Sequence, residues 1–162
     1  MEGDIIYVVR KPLGLKSFSS RRSSRSGKLD QLIARTMIYR HYGIEVEDGN
    51  IIHFICDSIL YTHEGSIRKT TMEDFLKGGE KKVDLEMSVK FSRERVVKRA
   101  YSRLNTTFDG YHVYNNNCEH FAAWCANGNK VSRQVFFAKS GHTLIQLPKK
   151  AKDKLVSVMA IF

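Results

Sequence analysis

At 162 residues, 42% hydrophobic and with only two prolines, the chain has the size and composition of one globular domain with its own core. Its three cysteines (56, 118 and 125) are an odd number, and Cys118 and Cys125, two helical turns and roughly 10 Å apart, cannot bridge each other, which argues against a disulfide framework. No apolar run approaches the length of a bilayer span, and the formal charge of +10 gathers at two flanks: residues 10–28 carry seven basic residues and no acid, and residues 129–162 carry seven against Asp153 alone.

Two basic flanks on a near-neutral body point to an anionic partner, either a phospholipid surface or nucleic acid, with simple solubility as the plainer alternative. Aromatic residues are not interleaved with the first basic stretch beyond Phe18, which ranks nucleic acid below lipid. Reduced thiols and the lack of a secretory leader point to the cytoplasm, with peripheral attachment to membranes.

In chain order, residues 5–9 are a β-branched run and read as a strand. Residues 11–28 are rich in serine, glycine and basic side chains without a period, and read as a loop. Leu29, Leu32, Ile33, Thr36 and Met37 have helical spacing, predicting a short helix over 29–39. Residues 41–46 and 50–56 around Glu47-Asp48-Gly49 predict a β-hairpin. Its even-numbered residues Tyr42, Ile44, Val46, Ile52, Phe54 and Cys56 are all apolar, so they form one face only if cross-strand partners sum to an even number. A two-residue Asp-Gly turn gives an odd sum; a three-residue loop, a type I turn with Gly49 left-handed as a bulge, gives the even one. That register sets His41 opposite Ile55 and His53 opposite Gly43, leaving the two imidazoles as diagonal neighbours with Cβ atoms roughly 7–8 Å apart.

Further on, residues 66–68 read as a strand. Thr70 or Thr71, with Glu73, caps a short helix over 72–76 that Gly78-Gly79 ends. Residues 82–87 alternate and predict another strand, and Ser92 caps a helix through Leu104. Asn117 caps a further helix in which Phe121, Ala122, Trp124 and Cys125 recur until Gly128. The tail, 148–162, joins a lysine-rich stretch to an apolar end and reads either as an interfacial helix or as an element docked on the core.

The helix opening at Cys118 carries the chemistry. A thiol in the first turn lies among unpaired N–H groups at the positive end of the helix dipole, which favours thiolate, and the same N–H groups suit an oxyanion. Cys118 therefore reads as a nucleophile, the plainer alternative being an inert buried cysteine. His41 reads as the base that takes the thiol proton, and His53 as the group that orients it. His63, His112 and His142 read as exposed, and His120 as packing or hydrogen bonding at the helix start. Cys118, His120 and Cys125 lack the close cysteine pairs of a zinc site, so no metal or cofactor is expected.

Gly3-Asp4-Ile5-Ile6, His41-Tyr42-Gly43-Ile44, His53 twelve residues after His41, Tyr111 seven before the cysteine, Asn117-Cys118-Glu119-His120-Phe121 and the trailing Trp124-Cys125 together resemble the lecithin:retinol acyltransferase family, over about residues 3–135. The resemblance implies an α+β fold, an antiparallel sheet packed against helices in a permuted, NlpC-type papain-like arrangement. It implies a catalytic domain over 1–136, with a basic loop at about 10–28, and a tail over 137–162. By the same resemblance Cys118, His41 and His53 form the triad and Tyr111 is a substrate-binding oxyanion donor. The implied activity is a cysteine-dependent acyltransferase or phospholipase: a glycerophospholipid acyl donor forms a thioester, and the acyl group passes to water, an alcohol or an amine. Retinol is not implied as the acceptor. The alternatives are an amide-cleaving cysteine hydrolase and a non-catalytic basic module for membrane or nucleic acid.

Overall fold

The hairpin around Glu47–Gly49 organises the molecule, and its turn is built differently from the expectation. Val46 N–H donates to Asn50 O at 2.8 Å, while Asn50 N–H donates to Glu47 O at 3.1 Å. Two residues thus face one, which is a bulge with Glu47 as the extra residue. Asp48 and Gly49 both take positive φ, 56° and 70°, as in a primed hairpin turn, so the expected type I turn is replaced by a two-residue left-handed one. The bulge restores the even sum: Ile44 pairs with Ile52 and Glu45 with Ile51.

In a computed structural model of the chain, residues 1–10, 39–56 and 65–136 are described. The basic loop, the helical spacing over 29–38, His63, His142 and the tail lie outside them. The chain clusters into two units, Met1–Ser132 and Arg133–Phe162; of the second, residues 133–136 are described and are helical.

The first unit is an α+β fold. Its strands are β1 (Ile5–Arg10), β2 (Tyr39–Glu45), β3 (Ile51–Ile55), β4 (Ser66–Thr70) and β5 (Lys82–Val83), and its helices are α1 (Met72–Leu76), α2 (Arg93–Tyr101) and α3 (Cys118–Asn127). The strands form one antiparallel sheet in the order β4-β3-β2-β1-β5. Tyr39 opens β2 rather than closing a helix, because it pairs with Arg10 at the end of β1.

Both faces of the sheet are covered. Ile5, Tyr42, Ile44, Ile52, Phe54 and Ile67 pack against α2 and α3 through Val96, Ala100, Phe121 and Ala122. On the other face Ile6, Val8 and Ile51 meet Phe75 of α1. The apolar even set therefore faces the helix pair as its period requires, and the mixed odd set is roofed by one short helix.

Gly43 belongs to that second face, and its missing side chain is a packing requirement. A Cβ there would lie 2.4 Å from Ile51 Cγ2, 3.0 Å from Phe75 Cε2 and 3.4 Å from His53 Cβ. Gly43→Ala is expected to destabilise the fold by about 1–3 kcal/mol through overpacking, read as a lower urea midpoint; an unchanged midpoint would show that the roof yields without cost.

The helix caps follow the sequence. Ser92 Oγ accepts from Arg95 N–H, Thr71 Oγ1 from Asp74 N–H, and α3 ends at a left-handed Gly128. Two elements are shorter than predicted. α2 stops at Tyr101 because Asn105 N–H donates to Ile67 O and Ile67 N–H to Thr106 O, drawing the chain onto β4. The strand predicted over 82–87 stops at Val83 because Asp84 Oδ1 accepts from the N–H groups of Glu86 and Met87, folding a turn. Tyr42 Oη donates to the other oxygen of that carboxylate at 2.9 Å, and Leu85 at the turn is 90% exposed, so the alternation there does not mark a sheet face.

Candidate active site

β2 and β3 bring the two imidazoles together. His41 Nε2 and His53 Nδ1 are 2.8 Å apart, with ring centroids 5.0 Å apart and nearly edge to face. Phe75 packs on both, at centroid distances of 5.3 and 5.2 Å. The second nitrogen of His53, Nε2, lies 3.0 Å from Thr70 Oγ1 at the end of β4. The two adjacent threonines divide their work: Thr71 caps α1, and Thr70 turns to the imidazole.

Both rings are held neutral. Burial pushes His41 well below the usual histidine value, helped by His53 and by the charges of Arg10 and Lys77. Burial likewise lowers His53 to about 4, with Arg10, Lys77 and Arg68 adding to the effect. Arg10 is fixed there by donating to the carbonyls of Leu76 and Phe75 at the end of α1.

Cys118 approaches β2 from the other face, within the cluster of Tyr42, Ile44 and Phe121. Glu45 N–H donates to Asp4 O, so in the alternating antiparallel pattern Arg40 C=O and Tyr42 N–H point away from β1, toward β3. The registered β2–β3 pairs are confined to Ile44–Ile52 and Glu45–Ile51, which leaves this edge open, and Cys118 Sγ occupies it, 3.9 Å from Arg40 O. The thiol thus rests on the two peptide groups that flank His41. Among the described residues no hydrogen bond joins Sγ to either imidazole.

The expectation of a depressed thiol does not hold. Burial raises Cys118 to about 11; the N–H groups of Tyr42, Glu119 and Cys118 itself pull it down, and the Glu119 carboxylate pushes it up. The helix start is also less open than expected. Asn117 Oδ1 accepts from Glu119 N–H at 3.0 Å and from His120 N–H at 3.2 Å, while Asn117 N–H donates to His120 Nδ1 at 3.2 Å. This reciprocal box takes two of the N–H groups expected to serve an oxyanion and leaves that of Cys118. His120 does bond the helix start, as predicted. His112, predicted exposed, is half-buried, and its Nδ1 accepts from Tyr114 N–H in the turn before the asparagine run.

Tyr111 lies edge-on to Phe54, 4.9 Å between centroids, and Gly65 makes room for it: a Cβ there would lie 2.3 Å from Tyr111 Cβ. Burial holds its phenol well above the usual value, with the nearby Cys118 contributing. The phenol is a neutral hydrogen-bond donor, although it bonds neither Cys118 nor the imidazoles. The residue that sequence reasoning missed is Thr70, which read only as a possible helix cap. Its signal was its place at the end of a strand opposite Ile51, diagonal to His53 on the same face.

The sequence profile described as lecithin retinol acyltransferase matches residues 24–131. The chain belongs to the lecithin retinol acyltransferase family. The match includes His41, His53, Tyr111 and Cys118. Among relatives, the bovine lecithin retinol acyltransferase is 32% identical over 121 residues, covering 59% of this chain and 52% of that protein. The rat protein of the same name is 30% identical over 123 residues, 60% and 52% respectively, and the human one 29% over 147 residues, 75% and 62%. The chain thus spans about half the length of the bovine and rat members of the lecithin retinol acyltransferase family. Among the described residues no helix is long and apolar enough to cross a membrane.

Proposed function

We propose that the chain is a cysteine-dependent acyltransferase or phospholipase acting on glycerophospholipid esters at an anionic lipid surface. The observation that carries the reading is the bonded His41–His53 pair on the strand whose open edge holds the Cys118 thiol, in a family whose relatives are named for acyl transfer from lecithin.

Sγ turns off Arg40 O, and His41 takes its proton on Nδ1, the nitrogen that His53 leaves available. The thiolate attacks the ester carbonyl. The oxyanion meets the Cys118 N–H left by the cap and the neutral Tyr111 phenol. The C–O bond to glycerol breaks as His41 Nδ1–H protonates the leaving alkoxide, and the acyl group remains as a thioester. Water, an alcohol or an amine then gives its proton to His41 and attacks the thioester, and the departing thiolate recovers the proton. An amide-cleaving hydrolase would run the same steps on a peptide donor.

A non-catalytic role has its own support in the buried thiol, raised to about 11 and resting on main chain. Intact-protein mass spectrometry after incubation with mixed phospholipid vesicles separates the readings. A fatty-acyl mass on the chain, mapped to the peptide containing Cys118, is the expected result; an unmodified chain with every phospholipid overturns it. A peptide-ester or amide donor in a parallel arm tests the hydrolase alternative.

A further inference from the structure

We propose that Asn116 is a positioning residue for Tyr111: its side-chain amide holds the left-handed turn that leads into the tyrosine, and its backbone pins the residue that follows. The inference rests on the proposed acyl transfer, in which Tyr111 meets the oxyanion, and deepens it by naming what sets that donor in place.

The turn before Tyr111 is one that its residues do not all favour. Phe108, Asp109 and Gly110 take positive φ, 47°, 67° and 81°, and Gly110 N–H donates to Thr107 O at 2.9 Å. Glycine adopts this conformation freely and aspartate tolerates it; a phenylalanine there is strained and persists only where its surroundings hold it. The ring of Phe108 is seated among Phe54, Phe121 and Trp124, with centroids 5.6, 5.2 and 5.4 Å away. Its main chain is held by Asn116 Nδ2, which donates to Phe108 O and, at 2.8 Å, to Gly110 O. The Gly110 carbonyl belongs to the planar peptide group that leads into Tyr111, so this bond sets the direction in which the tyrosine leaves the turn. Just beyond, His112 N–H donates to Asn116 O at 2.9 Å and Asn116 N–H to His112 O at 2.8 Å. Tyr111 is thus bracketed on both sides by one residue, two positions before the nucleophile.

The direction of the side-chain bonds is not open to choice. Carbonyl oxygens only accept, so the atom facing both of them is the amide nitrogen with its two hydrogens. The other amide atom, Oδ1, is buried and has no hydrogen-bond partner among the described residues. What the side chain contributes is therefore a pair of donors, which neither an apolar isostere nor a carboxyl group supplies.

Asn116→Leu keeps the branched shape and removes both donors; Asn116→Asp keeps the shape and leaves at most one. With 3-fluorotyrosine in place of tyrosine, the ¹⁹F signal of Tyr111 is assigned by its loss in Tyr111→Phe. It is expected to be a single line in the wild-type chain and to shift or split in Asn116→Leu. Single-turnover acyl-thioester formation on mixed phospholipid vesicles is expected to fall about 10–100-fold in Asn116→Leu. In a Tyr111→Phe background the same substitution is expected to slow the reaction no further, because a residue that acts through the phenol has nothing left to position. A second loss that multiplies the first overturns the proposal, as does an unmoved Tyr111 signal in a folded Asn116→Leu chain. A Tyr111→Phe chain as fast as wild type also overturns it, while leaving the thioester reading intact. Should Asn116→Leu not fold, the same measurements are made on Asn116→Asp. The wild-type chain supplies a test that needs no variant: both side-chain amide protons of Asn116 are expected to exchange slowly with solvent, and fast exchange of either overturns the proposal. If the signal moves and the wild-type chain forms no thioester, the placement of Tyr111 stands and the acyl-transfer reading falls.

Discussion

Cys118→Ala is expected to lose all acyl uptake, and His41→Ala to lose it about 10²–10⁴-fold at pH 7.5, the usual worth of a positioned general base. The magnitude follows from the thiol. At about 11, Cys118 carries thiolate in only about one molecule in several thousand at that pH, so direct attack without a base is slow. In the proposed mechanism His41 supplies the base only when Sγ leaves the β2 edge and meets Nδ1, where the nascent ion pair offsets part of the burial that raises one group and lowers the other. The His41→Ala rate is accordingly expected to climb about tenfold per pH unit from 7.5 to 9.5, tracking thiolate, while the wild-type rate is flatter. Single-turnover mass spectrometry of the acyl adduct measures both. A His41→Ala chain as fast as wild type, at every pH, would remove the base from the mechanism.

The second large effect is on stability in mild acid. His53 has a folded value of about 4 against an unfolded value near 6.5. Between those values the unfolded chain binds a proton that the folded chain refuses, so stability rises with pH through this window and is fully present only above about 6.5. From His53 alone the loss on going from pH 7.5 to pH 5 is about 2 kcal/mol, and the equally buried His41 shifts in the same direction. Asp4 and Glu45, both held below their ordinary values, weaken the fold only when pH drops further, so the window from 7.5 to 5 belongs to the imidazoles. Urea midpoints across that range are expected to fall steadily in the wild-type chain and to flatten in His53→Gln. Equal slopes in the two chains would show that His53 is not held neutral.

Those parts of the molecule were legible in the sequence that depend on local periodicity and local caps. The even-numbered apolar set in the hairpin named its core face, and with it the meeting of His41 and His53, because a period of two leaves a side chain only one face to share. Ser92, Asn117 and Gly128 marked helix ends because capping is satisfied within a few residues. What stayed hidden depends on partners remote in sequence. The alternation over 82–87 looked like a strand, but Asp84 satisfies two backbone N–H groups and a hydroxyl from β2 instead. The fall in the Cys118 value expected from a helix N-terminus was outweighed by burial against the edge of β2, which no feature of residues 115–128 announces. Thr70 was hidden for the same reason: its bond to His53 spans 17 residues and two strands.

The extra residue at Glu47 has a consequence for how this hairpin can change over time. Because side chains alternate, strand β3 obeys parity: deletion of Glu47, or insertion of one neighbour beside it, would carry His53 into the layer beneath α3 and bring Phe54 out beneath Phe75. A loop whose two central residues face solvent is thus closed to single-residue indels, while changes by two residues keep both imidazoles on one side. Parity constrains the length of this tip, and the left-handed pair Asp48-Gly49 constrains its composition.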